Sequence, residues 1–135
     1  MLKVLLTGSV KFEDRKFIKD FIFGLKNKYQ DNIKVATLNE KFGADKHIKK
    51  YAIEFGLDYG EFNRYDQEHK LYDIMPEWLF GKPYNYRNKM FRDSHASKWC
   101  DTMILFLEDG YTDDRFNSMI KSVKKNGRNV KIIGR

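Results

Sequence analysis

The order of apolar and amphipathic segments predicts an α/β protein, a doubly wound parallel sheet of about five strands in the order 3-2-1-4-5 with helices on both faces. Three observations carry this. Short apolar runs alternate with segments of helical periodicity from one end of the chain to the other. The first run is continuously hydrophobic and bounded by turn residues, the pattern of a strand buried on both faces. The 135 residues, 41% apolar and 16% aromatic, supply one domain (residues 1–135) with one core and exclude global disorder.

Leu2-Lys3-Val4-Leu5-Leu6-Thr7 reads as the first strand and ends in Gly8-Ser9. Phe17, Ile18, Phe21, Ile22 and Leu25 then recur at helical spacing, with Asp14 ahead of them as a cap or first-turn carboxylate. Ile33 to Leu38 is the second strand. Ala44, Ile48, Tyr51, Ala52 and Phe55 mark the second helix, stopped by Gly56. Leu57 to Phe62 is the third strand, interrupted by Gly60. From residue 63 to about 84 periodicity is lost, and charges mix with Tyr65, His69, Tyr72, Trp78 and Phe80. A connection of that length in a compact domain commonly binds something or acts as a lid. Tyr86 to Lys98 is the third helix and Asp101 to Leu107 the fourth strand. After a turn at Glu108-Asp109-Gly110, a helix from about Asp113 to Asn126 turns Phe116, Met119, Ile120 and Val123 inward. Gly127 ends it, and Val130 to Ile133 is the last strand.

Composition narrows the function classes. With 2 prolines and 9 glycines, the chain is neither collagen-like nor a long linker. The single cysteine, Cys100, precedes a buried strand and reads as a small core residue. It cannot form an internal disulfide or a cysteine-rich zinc site. His47, His69 and His95 lie on separate elements without metal-motif spacing, so neither a metal nor a cofactor is expected. No long apolar run is present and the chain begins directly as a strand. The expected location is therefore the cytoplasm of whatever cell hosts the protein, with no membrane partner. An excess of 26 Lys+Arg over 19 Asp+Glu gives +7, which suits a phosphorylated or polyanionic partner.

In a doubly wound sheet the crevice lies outside the carboxyl ends of strands one and four, where the winding reverses. Those ends carry Thr7-Gly8-Ser9 and Glu108-Asp109-Gly110-Tyr111-Thr112. Gly8 permits close approach of a phosphate and Ser9 offers a hydroxyl, or the pair is a simple tight turn. Gly43-Ala44-Asp45 opens the second helix, where unpaired N–H groups attract anions. Asp45 accepts from a sugar hydroxyl or base N–H, or else complements the helix dipole. Arg87-Asn88 suits phosphate and a base or ribose edge, or belongs to a solvated face that continues with Lys89 and Arg92.

Leu5-Leu6-Thr7-Gly8-Ser9, Gly43-Ala44-Asp45 followed by Tyr51-Ala52, Gly81-Lys82, Arg87-Asn88-x-Met90 and Asp101-x-x-Ile104-x-Phe106, in that order, resemble the SLOG superfamily. These are Rossmann-like nucleotide-binding domains related to the DprA and LOG proteins, and the pattern is nearest that of the small single-domain branch in bacteria and their phages. The resemblance spans nearly the whole chain. It implies a nucleotide or nucleotide-derived ligand held by Gly8, Ser9, Gly43, Asp45, Arg87 and Asn88, and a homo-oligomer. Thr7, Ala44, Gly110 and Thr112 complete the candidate ligand-binding set. Val10 stands where the family commonly has arginine, and Asn39-Glu40-Lys41 where it often has a double glycine. LOG phosphoribohydrolases carry Pro-Gly-Gly-x-Gly-Thr-x-x-Glu after strand four. This chain has Asp109-Gly110-Tyr111-Thr112, with no glutamate at the corresponding helical position.

The leading expectation is therefore a carrier, sensor or sequestering protein for a nucleotide-derived small molecule. The first alternative is a nucleotide or nucleoside N-glycosidase or transferase, with its carboxylate drawn from Asp109, Asp113 or Asp114. The second is DNA binding of the DprA type, through Lys46, Lys49 and Lys50 or Lys121, Lys124, Lys125 and Arg128. The acids at the crevice mouth and the lack of a recognition motif disfavour it. Tyr65, Tyr72, Trp78, Tyr84 and Tyr86 stack on a base, or form a satellite core or subunit interface. Locally, Arg87 with Lys82 and Arg64 favours a small phosphorylated ligand over a polymer.

Overall fold

The computed structural model describes residues 1–83, 86–108 and 114–134. Strands β1 (Leu2–Gly8), β2 (Ile33–Thr37), β3 (Asp58–Glu61), β4 (Thr102–Leu107) and β5 (Asn129–Gly134) form one parallel sheet in the order β3-β2-β1-β4-β5. Helices α1 (Arg15–Tyr29), α2 (Ala44–Glu54), α3 (Tyr86–Trp99) and α4 (Asp114–Lys125) provide the crossovers. The predicted topology is the observed one.

Strand periodicity explains the two layers, because successive side chains point to opposite faces. Val4 and Leu6 of β1, with Ile104 and Phe106 of β4, pack against Ile18 and Ile22 of α1 and Ile48 and Ala52 of α2. Leu5, with Met103, Leu105 and Leu107, faces Ala96 of α3 and Phe116, Met119 and Val123 of α4. Phe106 anchors the first layer through edge contacts with Phe12, Phe17 and Phe21, at centroid distances of 5.8, 6.2 and 5.3 Å. Asp14 caps α1 as expected, its Oδ1 accepting from the Phe17 N–H at 3.2 Å.

β3 is shorter than its apolar run. Leu57 and Phe62 are buried in opposite layers, but both lie outside the ladder. The segment after it is less irregular than its sequence implies. Residues 72–74 return alongside β3: the Glu61 N–H donates to the Tyr72 carbonyl and the Ile74 N–H to the Glu61 carbonyl, each at 2.9 Å. Gly60 makes room for this return, since a Cβ there would lie 2.5 Å from Ile74 Cδ1. A short 3-10 turn, Glu77–Leu79, follows.

Two glycines hold the sheet and α2 in close contact. A Cβ on Gly8 would sit 2.0 Å from the Phe106 carbonyl oxygen, and one on Gly43 (φ +76) would sit 2.3 Å from the Ser9 carbonyl oxygen. Gly24, exposed on α1, has nothing within 4 Å of its Cβ position. Gly8→Ala and Gly43→Ala are therefore expected to destabilise the fold by roughly 1–3 kcal/mol. Gly24→Ala is expected to stabilise it by about 0.5–1 kcal/mol. Urea unfolding of the three variants checks both signs.

Candidate functional site

The amino-terminal candidates do come together, but they bond mainly to one another. Ser9 is buried. Its N–H donates to the Phe106 carbonyl at 3.0 Å, and its own carbonyl accepts from the Ala44 N–H at 3.1 Å and the Phe12 N–H at 3.2 Å. Its hydroxyl donates to Glu108 Oε1 at 2.6 Å and accepts from the Lys11 N–H at 3.0 Å. Thr7 Oγ1 donates to Asp45 Oδ1 at 2.7 Å, and the Glu40 N–H donates to Asp45 Oδ2 at 3.1 Å. Thr7, Gly8, Ser9, Gly43, Ala44 and Asp45 thus form a buried seam between β1 and the first turn of α2. Part of the anion-attracting amino end of α2 is satisfied from within, because the Ala44 N–H is spent on Ser9.

That seam fixes two loops, one carrying Val10 and the other residues 38–43, and these form one wall of a cavity. The cavity, about 560 Å³, opens at the carboxyl ends of β1, β2 and β3, within the size range of small-molecule sites. Lys41, Lys49, Arg64, Lys70, Lys89 and Arg92 line it, against one lining carboxylate among the described residues, Glu40. Asn39, Asn63 and Gln67 add amides, and Val10 and Phe42 add an exposed apolar lip.

Arg92 is the residue that the sequence reading missed. As part of a solvated face it would be exposed, yet only 5% of its surface is accessible. Its Nε donates to Asp93 at 3.2 Å and its Nη1 to the Leu38 carbonyl at 3.4 Å. Its Nη2 has no hydrogen-bond acceptor among the described residues, and Glu40 Oε1 is 3.6 Å away. A buried guanidinium N–H without a close acceptor is costly, and the Glu40 carboxylate offsets part of that cost through charge. The available sequence signal was the i, i+4, i+8 spacing of Arg92 with Ala96 and Cys100, both wholly buried.

A buried polar network supports the cavity floor. Glu61, fully buried, meets Lys49 Nζ at 2.9 Å and accepts from Asn63 Nδ2 at 2.9 Å. The same Asn63 amide donates to Asp73, and Asn63 Oδ1 accepts from Asn39 Nδ2 at 2.8 Å. Lys49 is thus positioned from below by a carboxylate that cannot reach water. Tyr59, bonded to Thr37 Oγ1 at 2.8 Å, is held protonated by burial and by the nearby Glu61 charge.

The remaining candidates are dispersed. Arg87 is exposed in the first turn of α3. Asn88 and Asp114 lie in α3 and α4, with their side chains outside the described part. Asp109, Gly110, Thr112 and Asp113 lie outside the described residues, so that of the strand-four side of the predicted crevice only Glu108 is described. Tyr65 lies beside Phe91 at 6.4 Å, and Tyr72 packs on Tyr59 at 5.4 Å. Trp78 is exposed, and Tyr84 is outside the described residues, as is the side chain of Tyr86. Among the described residues no group of three or more His, Cys, Asp or Glu is placed to hold a metal ion. No helix among them is long and apolar enough to cross a membrane.

Comparisons with protein-family models, with curated proteins and with solved structures find no match to this chain.

Cys100 carries a pH prediction. Burial pushes its thiol from the ordinary 9.0 up to about 11, with Asp101 adding to the rise and Arg128 opposing it. The folded thiol thus keeps its proton where an unfolded one loses it. Its contribution to stability is complete below pH 9 and declines as pH rises from about 9 to 11. In thiol-reagent kinetics at pH 8, the native protein is expected to react far more slowly than the urea-unfolded chain.

Proposed function

We propose that the chain binds a nucleotide or nucleotide-derived phosphorylated small molecule in the cavity at the carboxyl ends of β1, β2 and β3, as a carrier, sensor or sequestering protein. The observation that carries this reading is the cationic lining of the cavity, Lys41, Lys49, Arg64, Lys70, Lys89 and Arg92, against Glu40 among the described residues. Cations so placed suit phosphate oxygens. Their partly desolvated surroundings strengthen the attraction relative to open water.

Two features favour a nucleotide over a bare anion. Phe42 is 65% exposed at the cavity lip, beside Val10. An exposed phenylalanine is unremarkable by itself, but beside a cationic wall it offers a face on which a base stacks. The amide of Gln67 supplies a donor and an acceptor for a base or ribose edge. The concave arrangement of the cations favours a small ligand over a polymer. The resemblance to the SLOG superfamily supports the same ligand class, and a homo-oligomer remains part of the proposal on that ground alone. The glycosidase alternative rests on Asp109, Asp113 and Asp114, and nothing described here adds to it.

Calorimetric titration with nucleoside mono-, di- and triphosphates, ADP-ribose and cyclic dinucleotides tests the proposal. At least one is expected to bind in the micromolar range. Arg92→Gln is expected to weaken that ligand roughly 10- to 100-fold, as for loss of a charge-assisted hydrogen bond. Phe42→Ala, at an exposed position that leaves the core intact, should weaken it about tenfold. A folded sample that binds none of the panel would refute the reading.

A further inference from the structure

We infer that the outer face of helices α1 and α2 is a docking surface for an anionic lipid bilayer, which it touches without crossing. The inference is independent of what the cavity binds.

Two stripes of residues carry it. On α1, Lys16, Lys19 and Phe23 recur at i, i+3 and i+7, with Arg15 one turn before Lys19. On α2, Lys46, Lys50 and Ile53 recur at i, i+4 and i+7. Such spacings put each set on one side of its helix, and all of these residues are exposed. The two helices pack in the same layer, and contacts across their seam join the stripes. Lys19 Nζ and Lys50 Nζ lie 5.8 and 5.3 Å from the centre of the Tyr51 ring, and Phe23 meets Phe55 edge-on at 5.6 Å. Both stripes read alike, cations over the amino-terminal turns and then an apolar side chain, Phe23 51% and Ile53 41% exposed.

The cations are not matched from within. Asp20 and Glu54 are exposed acids of the same helices, and Asp14 caps α1. Yet Arg15, Lys16, Lys19, Lys46 and Lys50 have no carboxylate within 4.0 Å among the described residues. His47, within reach of both helices, reports the resulting field. Partial burial, then Lys46, Arg15 and Lys50, hold its imidazole below the ordinary value, and no carboxylate among the described residues opposes them.

A bilayer matches this combination better than a nucleic acid or a lone phosphate. Four of the five cations are lysines, point charges that suit a dispersed headgroup layer, whereas nucleic-acid recognition favours the arginine fork. Phe23 and Ile53 are hydrocarbon, and an aliphatic side chain gains from acyl chains but little from a base. Lysines beside exposed aromatic and aliphatic residues are the composition of helices that lie in a membrane interface. The expectation of no membrane partner rested on the lack of a spanning segment, which a peripheral contact does not need.

The test is co-sedimentation of the full chain with phosphatidylcholine vesicles, with and without about 30% phosphatidylserine. Binding is expected to be roughly tenfold or more tighter with the anionic lipid, and to fall steeply between about 50 and 500 mM salt. Lys19→Gln/Lys46→Gln/Lys50→Gln is expected to remove that preference. Lys121→Gln/Lys124→Gln/Lys125→Gln, at exposed positions of α4 and with the same net charge, is expected to keep it. Phe23→Ser is expected to weaken binding several-fold with the salt dependence unchanged. Circular dichroism checks that all three variants fold. By NMR, the His47 pKa is expected to rise with anionic bicelles, and to rise less with orthophosphate or a single-stranded oligonucleotide. Equal binding to both kinds of vesicle overturns the inference. So does equal loss in the two triple variants, which assigns binding to overall charge, and so does a Phe23→Ser variant that binds like the parent. An oligonucleotide or orthophosphate that displaces the chain from vesicles and raises the His47 pKa further assigns the face to that ligand and overturns the bilayer.

Discussion

The carboxyl end of the sheet depends on one close approach, the first turn of α2 against the end of β1. The Ser9 carbonyl accepts two backbone N–H groups there, one from Ala44 and one from Phe12. The contact is possible only because residues 8 and 43 lack a Cβ. Once it forms, Thr7 and Asp45 are driven together below the surface, and Asp45 uses its second oxygen to hold the Glu40 N–H. The loop between β2 and α2 is thereby bent over the sheet. Lys41 and Phe42 are held at the cavity edge as a result, although neither belongs to the seam.

The second organising feature is a layer of buried polar groups at the same end of the molecule: Thr7, Thr37, Asp45, Glu61, Asn63 and Arg92. Placing them beneath the carboxyl ends of the strands carries a desolvation penalty. Mutual bonding offsets it almost everywhere. Asn63 illustrates this, tying β3 to the loop after β2 and to the returning segment at Asp73. Glu61 Oε1 and Arg92 Nη2 are the exceptions among them: each lacks a hydrogen-bond partner among the described residues and is offset by an oppositely charged neighbour, Lys49 at 2.9 Å and Glu40 at 3.6 Å.

The sheet order was legible because every strand is a short apolar run and the intervening segments keep helical spacing, so local patterning and global topology agree. The seam residues were also legible as positions, but not as roles. Glycines that admit a ligand and glycines that admit a neighbouring backbone look identical in sequence, and here Gly8 and Gly43 face Phe106 and Ser9. Arg92 was hidden for a different reason. α3 carries polar residues on every side, so its inward stripe of Arg92 and Ala96, continued by Cys100 just past its end, does not stand out by hydrophobicity. The return of residues 72–74 to β3 depends on pairing between segments about ten residues apart, in a stretch without periodicity. No local signal encodes it.

The two edges of the sheet are unequal. β3 is only four residues long, and Asp73 and Ile74 occupy the carboxyl half of its outer side. β5 has six residues and, among the described ones, no strand beyond it, and Ile132 is 55% exposed. An open edge is a template for strand addition, whereas a short and obstructed one is not. Growth of this sheet is thus directional. Two copies that paired edge to edge through β5 would present only their obstructed β3 sides outward, so such an association terminates at a closed pair instead of propagating into a fibre.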